Sequence, residues 1–293
     1  MCVVIYINIG NNRIFAKNRD RNYKTNVSIV HEIINGIEIA YIRDHLTEWV
    51  EGINENGYCI FNTALAIDYD ENAIANHDSK KKYLNALSTK SYDNFLDNIF
   101  HKKYYSDISL QGHTIASNNK LCIHMESFKD NKPVISILNN NNFVCTNHVL
   151  NLKDGGYVSG LPLASSIIRK KIIESELKNT KITKYKDVFD ILNKNYTEID
   201  IEIHPYRYTD SKSKFSAYGE LFTTGQLLVD TTNKKLLYNY DTDKSEFMGI
   251  INNLPKDYKP KIEIIVNPIS KSKADDKLPF DKKEIDEIIN KYK

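Results

Sequence analysis

Two hairpin patterns in the first 42 residues limit this chain to folds that begin with antiparallel β-structure. The clearer one has apolar runs at 27–34 and 37–42 around Asn35 and Gly36, a dipeptide that supplies the positive φ angles of a two-residue turn. Apolar and polar residues also alternate before and after it, as in half-buried strands. The further strands predicted in the first 65 residues are 2–9, 13–18 and 58–64, with turns at 10–12 and a turn-rich link at 51–57.

Between 78 and 105 the apolar residues change to a helical spacing, which predicts two helices there. Blocks of strands and helices then alternate, a pattern that fits a layered α+β fold better than a parallel βαβ chain. Since neither a repeat nor a linker interrupts the chain, we expect one domain over 1–293. The other predicted helices are 161–177, 185–192 and 281–292, and the other predicted strands are 114–116, 121–128, 133–138, 143–146, 220–230, 235–240 and 262–266.

Composition and charge argue against several classes of function. The 40 basic and 38 acidic residues leave a net charge of +2, too balanced for a nucleic-acid surface. No apolar run approaches the roughly 20 residues of a membrane span, and the chain starts without a basic leader, so we expect a cytoplasmic protein. The cysteines form no C-x-x-C and the histidines no pair at metal spacing, so we expect neither a metal nor a cofactor.

Cys2, directly after Met1, is the candidate catalytic residue of this sequence. Its side chain is small, so that Met1 can be removed and cysteine becomes the amino-terminal residue. Such a residue combines a nucleophile with a base, because the thiol attacks and the α-amine, of ordinary pKa about 7.7–8.0, accepts and returns the proton. The other cysteines lie in alternating apolar stretches, where a thiol is usually a small buried hydrophobe: Cys59, Cys122 and Cys145.

A charged cluster is predicted beside Cys2. In the first hairpin, the strand that pairs with Cys2 ends in Lys17, Arg19 and Asp20. A carboxylate at this place would hold the amine of an amino-terminal nucleophile. Without Cys2, the same residues would indicate only an exposed turn with local ion pairs, which contribute little to stability.

Several short segments occur in an order known from one protein superfamily. Residues 15–20 read FAKNRD, residues 51–57 read EGINENG and residues 145–148 read CTNH, followed by ASSIIR at 164–169 and a late hairpin at 222–240. With M-C at the start, they resemble the choloylglycine hydrolase and penicillin V acylase superfamily. Its pattern is M-C, a hairpin, F-G-R-N-x-D, D-G-x-N-E-x-G and T-N-H or T-N-S. The T-N-H form brings the chain nearest to the isopenicillin N acyltransferase and linear-amide hydrolase branch.

The resemblance covers residues 1–240 and implies an amino-terminal-nucleophile (Ntn) hydrolase with a four-layer αββα fold. Two antiparallel sheets would stack face to face, and residues 241–293 would form an extension. The implied reaction cleaves a linear amide, or transfers its acyl group, through a thioester on Cys2. The resemblance also implies that activation needs only the removal of Met1.

Roles at the site follow from the same resemblance. Cys2 would be the nucleophile and its amine the base, Asp20 would orient the amine, and Asn147 would donate a hydrogen bond to the oxyanion. Lys17 stands where many relatives have arginine and would be a cationic partner at the site, although a bidentate contact would be lost. Bile-salt-type relatives have an arginine where Ser166 falls, and either Arg169, one helical turn later, replaces it or the role is absent.

The substrate side of the site stays open. Asn62 lies two residues from the position of another oxyanion contributor, and a main-chain amide in 62–64, such as that of Thr63, would serve regardless of side chain. Residues 66–112, where relatives have pocket loops, show no resemblance. We therefore expect a substrate of a broad class, a small-molecule amide or N-acyl compound. A homo-oligomer is possible.

Two other interpretations remain. In the first, the chain keeps the fold without activity and binds an acylated ligand, as the departures at Lys17 and Ser166 would allow. In the second, the N-R-D string at 18–20 belongs to a different Cys2-bearing family, linked to haem or lipid handling, whose motif is N-R-D-E. Arg21 in place of that glutamate and the T-N-H segment argue against it.

Overall fold

The computed structural model describes residues 2–65, 78–100, 112–118, 121–128, 132–139, 142–152, 160–199, 203–207, 221–271, 273–275 and 277–293. The strands in these ranges are β1 (Cys2–Ile9), β2 (Asn12–Arg21), β3 (Thr25–Ile34), β4 (Ile37–Asp44), β5 (Val50–Asn54), β6 (Cys59–Thr63), β7 (Gly112–Ser117), β8 (Cys122–Ser127), β9 (Val134–Ile137), β10 (Phe143–Cys145), β11 (Phe222–Asp230), β12 (Lys235–Tyr240), β13 (Ser245–Asn252) and β14 (Glu263–Pro268). The helices are α1 (Asp78–Leu87), α2 (Tyr92–Phe100), α3 (Leu161–Asn179), α4 (Tyr185–Leu192) and α5 (Lys282–Tyr292).

The strands form two sheets. One has six strands in the order β10-β1-β2-β11-β12-β14, and the other has eight in the order β13-β3-β4-β5-β6-β7-β8-β9. Each sheet contains one parallel pair, β12 with β14 and β13 with β3, so the expectation of purely antiparallel sheets was wrong in this respect. The reason lies in the tail: after β12 the chain crosses to the other sheet for β13 and returns, so that β14 runs in the same direction as β12.

Apolar side chains on both faces of each sheet produce four layers. In β1, Val4 and Tyr6 join the core between the sheets, whereas Val3 and Ile5 face the other way. That outer face packs against α3 and α4, and the outer face of the eight-stranded sheet packs against α1 and α2. The order helix, sheet, sheet, helix confirms the predicted α+β class and its αββα layers.

The segment 51–57 differs from its prediction, because Val50–Asn54 is the buried strand β5. Gly52 is needed for close approach of two strands: a Cβ atom there would lie 2.2 Å from the carbonyl oxygen of Ala40. Glu51 is buried and ion-paired with Lys17. A glycine and an acidic residue that suggest a turn in the sequence thus serve a tertiary contact instead.

The tail adds one element that the sequence pattern did not predict. Strand β13 lies at the edge of the eight-stranded sheet. Its apolar residues Met248 and Ile250 are exposed, so the sequence lacks the alternation of apolar and polar residues by which a half-buried strand is predicted. Helix α5 begins as predicted after Asp281, whose side chain accepts a hydrogen bond from the Lys283 amide. In the described ranges, no helix is long and apolar enough to cross a membrane.

Candidate active site

Cys2 is the first residue of β1, and its side chain points between the two sheets. Strand residues alternate in direction, so Cys2 shares a face with Val4 and Tyr6 of the inter-sheet core. The residue is only 4% exposed. The thiol therefore sits at the end of the layer between the sheets, where β1 begins.

Two side chains hold the main chain of Cys2. Its N–H donates to Oδ1 of Asn147 at 3.1 Å, and its carbonyl oxygen accepts from Nη1 of Arg169 at 3.2 Å. Nη2 of Arg169 also donates to Oδ1 of Asn147 at 3.0 Å. Because a guanidinium only donates, this contact assigns which end of the Asn147 amide is the oxygen. The structure thus brings together three of the predicted site residues.

Asn147 connects three parts of the fold. It follows β10, which pairs with β1 through Val4 and Cys145. Its Nδ2 donates to the hydroxyl of Thr63 at 3.0 Å and to the carbonyl of residue 64 at 2.7 Å, both at the end of β6 in the other sheet. Its own N–H donates to the hydroxyl of Ser166 in α3 at 2.8 Å.

Ser166 and Arg169 lie on the same helix but contact different parts of the site. Both are buried in α3, about one turn apart. Ser166 supports Asn147, whereas the guanidinium of Arg169 reaches Cys2 itself. The cation beside the main chain of Cys2 is therefore Arg169.

Lys17 contacts a buried carboxylate and a main-chain carbonyl. Its Nζ lies 2.5 Å from Oε1 of Glu51 and also donates to the carbonyl of Asn62. Oε1 of Glu51 accepts from the N–H of Asn62 at 2.9 Å, and the Asn62 side chain donates to the hydroxyl of Thr114. Lys17 and Glu51 thus hold both main-chain polar groups of Asn62. Glu51 was not predicted as a site residue, because its segment had the composition of a turn.

Asp20 lies next to the residue that pairs with Cys2, since Cys2 is in register with Arg19. Oδ1 of Asp20 accepts from the Thr223 hydroxyl at 2.8 Å, and Oδ2 lies 3.8 Å from Nε of Arg207. Oδ2 is buried and accepts no hydrogen bond from the residues that the structure describes. Sequence reasoning missed Arg207, which stands in no motif.

Arg21 is another residue that sequence reasoning did not assign to the site. Its Nη1 lies 3.8 Å from Sγ of Cys2. The alternation along β2 contained the signal, because residues 17, 19 and 21 share a face with Phe15, which packs in the core between the sheets. That is the face on which the Cys2 side chain lies.

Burial and charge act in opposite directions on the Cys2 thiol. Burial raises its pKa, but the positive charges of Lys17 and Arg21 lower it, and the net direction is downward. For the other three thiols burial dominates and raises the pKa, to about 12 for Cys122. Of the four cysteines, Cys2 is the one most readily present as a thiolate.

The described part of the chain contains no group of three or more His, Cys, Asp or Glu side chains that could hold a metal ion.

Among solved structures, the chain is similar to penicillin V acylase from Agrobacterium tumefaciens. The TM-score is 0.53, and the match covers 91% of this chain and 100% of that chain. The two sequences are 10% identical, so the similarity shows a shared fold. No family model matches the sequence, and no curated protein matches it.

Proposed function

We propose that this protein cleaves a linear amide, or transfers its acyl group, with Cys2 as the nucleophile. The observation that carries the proposal is the setting of Cys2. It begins a strand in the fold of a known acylase, its N–H is held by Asn147, and its thiol has a lowered pKa. A buried cysteine that served only for packing would have a raised pKa, as Cys122 does.

The proposed reaction needs the α-amine of Cys2, which forms when Met1 is removed. The amine takes the thiol proton, and Sγ attacks the carbonyl carbon of the amide to form a C–S bond. The C–N bond breaks as the ammonium returns the proton to the leaving nitrogen, which departs as an amine. Water then hydrolyses the thioester to a carboxylic acid, or a second amine takes the acyl group.

Asp20 and Asn147 are proposed to position that amine. An ammonium at the Cys2 nitrogen would supply a donor to Oδ2 of Asp20, a buried carboxylate oxygen that accepts no hydrogen bond from the described residues. Oδ1 of Asn147 already accepts from the same nitrogen. Both groups favour the protonated amine, which is the form that follows transfer of the thiol proton.

For the oxyanion, we propose Nδ2 of Asn147 together with a main-chain amide at the end of β6. Nδ2 would exchange one of its two present acceptors, the hydroxyl of Thr63 or the carbonyl of residue 64, for the substrate oxygen. The N–H of Asn62 already donates to Glu51. This leaves the amides of Thr63 and residue 64 as the main-chain candidates.

The inactive-fold interpretation loses part of its support. It drew on Lys17 replacing an arginine and on Ser166 standing where an arginine was expected. In the structure two other arginines contact Cys2, Arg169 at its carbonyl and Arg21 at its thiol. Positive charge is therefore present at the site through other residues.

Mass spectrometry of the purified protein tests the proposal. The intact mass is expected to correspond to a chain that begins at Cys2. With a limited amount of iodoacetamide, Cys2 is expected to be alkylated at least tenfold faster than Cys59, Cys122 or Cys145, since only its thiol pKa is lowered. Active protein that retains Met1 quantitatively, or labelling that begins at another cysteine, would contradict the mechanism.

Replacing Asp20 with asparagine is expected to remove most of the activity with little change in KM. The amide keeps an acceptor for the Thr223 hydroxyl but loses the charge that holds the ammonium. Steady-state kinetics measure this, because loss of an interaction that acts on the reacting groups lowers kcat. A raised KM with an unchanged kcat would show that Asp20 acts only in binding or structure. Asp190→Asn serves as a matched control, since that aspartate lies in an exposed i,i+4 pair on α4.

A further inference from the structure

Arg21 ends β2 and is held in place on three sides. Its Nη1 donates to the main-chain carbonyl of Asp20 at 2.8 Å and lies 3.8 Å from Sγ of Cys2. Its Nε lies 3.7 Å from Oδ2 of Asp44, whose side chain is fully buried, whereas that of Arg21 is 17% exposed. The guanidinium is thus at the outer edge of the buried site, directly beside the sulfur.

The carboxylate that anchors Arg21 is itself fixed. Oδ2 of Asp44 accepts from the Tyr23 hydroxyl at 2.9 Å, and Oδ1 accepts from the main-chain N–H of Leu46 at 3.1 Å. An anchor with several hydrogen bonds limits how far the guanidinium can move. A charge that is positioned before the reaction stabilises an ion more effectively than one that must be reoriented.

We propose that Arg21 is a catalytic residue that stabilises the Cys2 thiolate. The proposal rests on the function proposed above, in which Cys2 is the nucleophile. In the resting enzyme the thiol proton would lie on the α-amine, and the thiolate would face the guanidinium. When Sγ attacks, its negative charge passes to the carbonyl oxygen, and Arg21 loses its partner until the thioester is cleaved.

Other charged groups also lie near the thiol, among them Arg19, which is in register with Cys2 and lies 3.8 Å from Asp44 and 3.7 Å from Glu51. Nζ of Lys17 forms a buried ion pair with Glu51 at 2.5 Å. Arg169 donates to the Cys2 carbonyl and to Asn147. Asp20 is negative and opposes the thiolate. Burial raises the pKa of the thiol while Lys17 and Arg21 lower it, Lys17 by more, and the guanidinium of Arg21 is in direct contact with Sγ at 3.8 Å.

The test measures the rate of Cys2 alkylation by iodoacetamide as a function of pH, in the full chain beginning at Cys2. Arg21→Met keeps the apolar stem but removes the charge. It is expected to raise the apparent pKa of alkylation by about one unit, so that the rate well below the midpoint falls about tenfold. The plateau at high pH should be equal or slightly higher, because a thiolate of higher pKa is a better nucleophile.

Two controls separate this charge from others. Arg43→Met removes a guanidinium from a partly exposed pair with Glu48 and is expected to leave the profile unchanged. The double variant Lys17→Met/Glu51→Gln removes a buried ion pair together and is expected to shift the profile less than Arg21→Met does. A larger shift in the double variant would assign the role to Lys17 and overturn the proposal.

Misfolding of a variant is recognised from the labelling rates of the four cysteines, since an unfolded chain exposes all four thiols to the reagent. If Arg21→Met labels Cys59, Cys122 and Cys145 as fast as Cys2, Arg21→Gln takes its place in the comparison. An unchanged alkylation profile in a folded neutral variant overturns the role of Arg21 while amide turnover by the wild type still supports the proposed function. A shifted profile supports Arg21 even where the wild type turns over no amide, in which case only the proposed function fails.

Discussion

Replacing Cys2 with alanine is expected to reduce amide turnover to the background rate, while the protein keeps its fold. Loss of the nucleophile in comparable enzymes costs on the order of 10⁶ in kcat, because no covalent intermediate can form. The fold should survive, since the contacts of Cys2 to Asn147 and Arg169 use main-chain atoms that alanine also has. Hydrolysis of a panel of acyl 4-nitroanilides measures the turnover, and thermal unfolding measures the stability.

Cys122→Ala is the matched control for this experiment. That cysteine is buried in the core between the sheets and takes no part in the proposed site. We expect it to lose more stability than Cys2→Ala, because it leaves a cavity in a packed core, but to keep normal turnover. The proposed mechanism is wrong if Cys2→Ala retains a tenth or more of the wild-type rate and Cys122→Ala does not differ from it.

Local patterns predicted most of the strands and helices. The turn residues Asn35 and Gly36 and the alternation on either side are sufficient for the hairpin of β3 and β4, since both signals lie within about twenty residues. Strand β5 was missed for a different reason. Gly52 is a glycine because the neighbouring strand passes too close for a Cβ atom, and a contact with Ala40 leaves no local signal.

Residues of the candidate site were predicted only where their place in the chain or the resemblance of a motif indicated them. Cys2 stood out by its place after Met1, and register along the first hairpin brought Asp20 beside it. Asn147 is 145 residues from Cys2, so that only the resemblance of a short motif could place it there. Glu51 and Arg207 were missed because a charged residue is normally assigned to the surface, and both become visible only when two sheets bury them together.

The role of Asn147 can be divided into its two halves, because its oxygen and its nitrogen contact different groups. Oδ1 accepts from the Cys2 nitrogen and from Arg169, whereas Nδ2 faces Thr63 and residue 64. Asn147→Ala removes both halves. Asn147→Asp keeps an acceptor for Cys2 and Arg169 but removes the donor. If Nδ2 stabilises the oxyanion, both variants should acylate slowly, whereas an amide that only holds the nucleophile would be replaced adequately by aspartate.

We expect both variants to acylate Cys2 about 10²–10³ times more slowly than the wild type, equivalent to roughly 2.7–4 kcal/mol of transition-state stabilisation. The measurement is the rate of acetylation by 4-nitrophenyl acetate, followed by mass and divided by the rate of alkylation by iodoacetamide. Alkylation forms no oxyanion, so the ratio removes any effect on the thiolate.

Loss of the buried amide should also cost stability of about 1–3 kcal/mol in Asn147→Ala. The control is Asn54→Ala, a buried asparagine that donates to the Leu87 carbonyl in a different part of the fold and should lower stability without changing the ratio. A normal ratio in Asn147→Asp would refute oxyanion donation and leave Asn147 as the residue that holds the Cys2 amine.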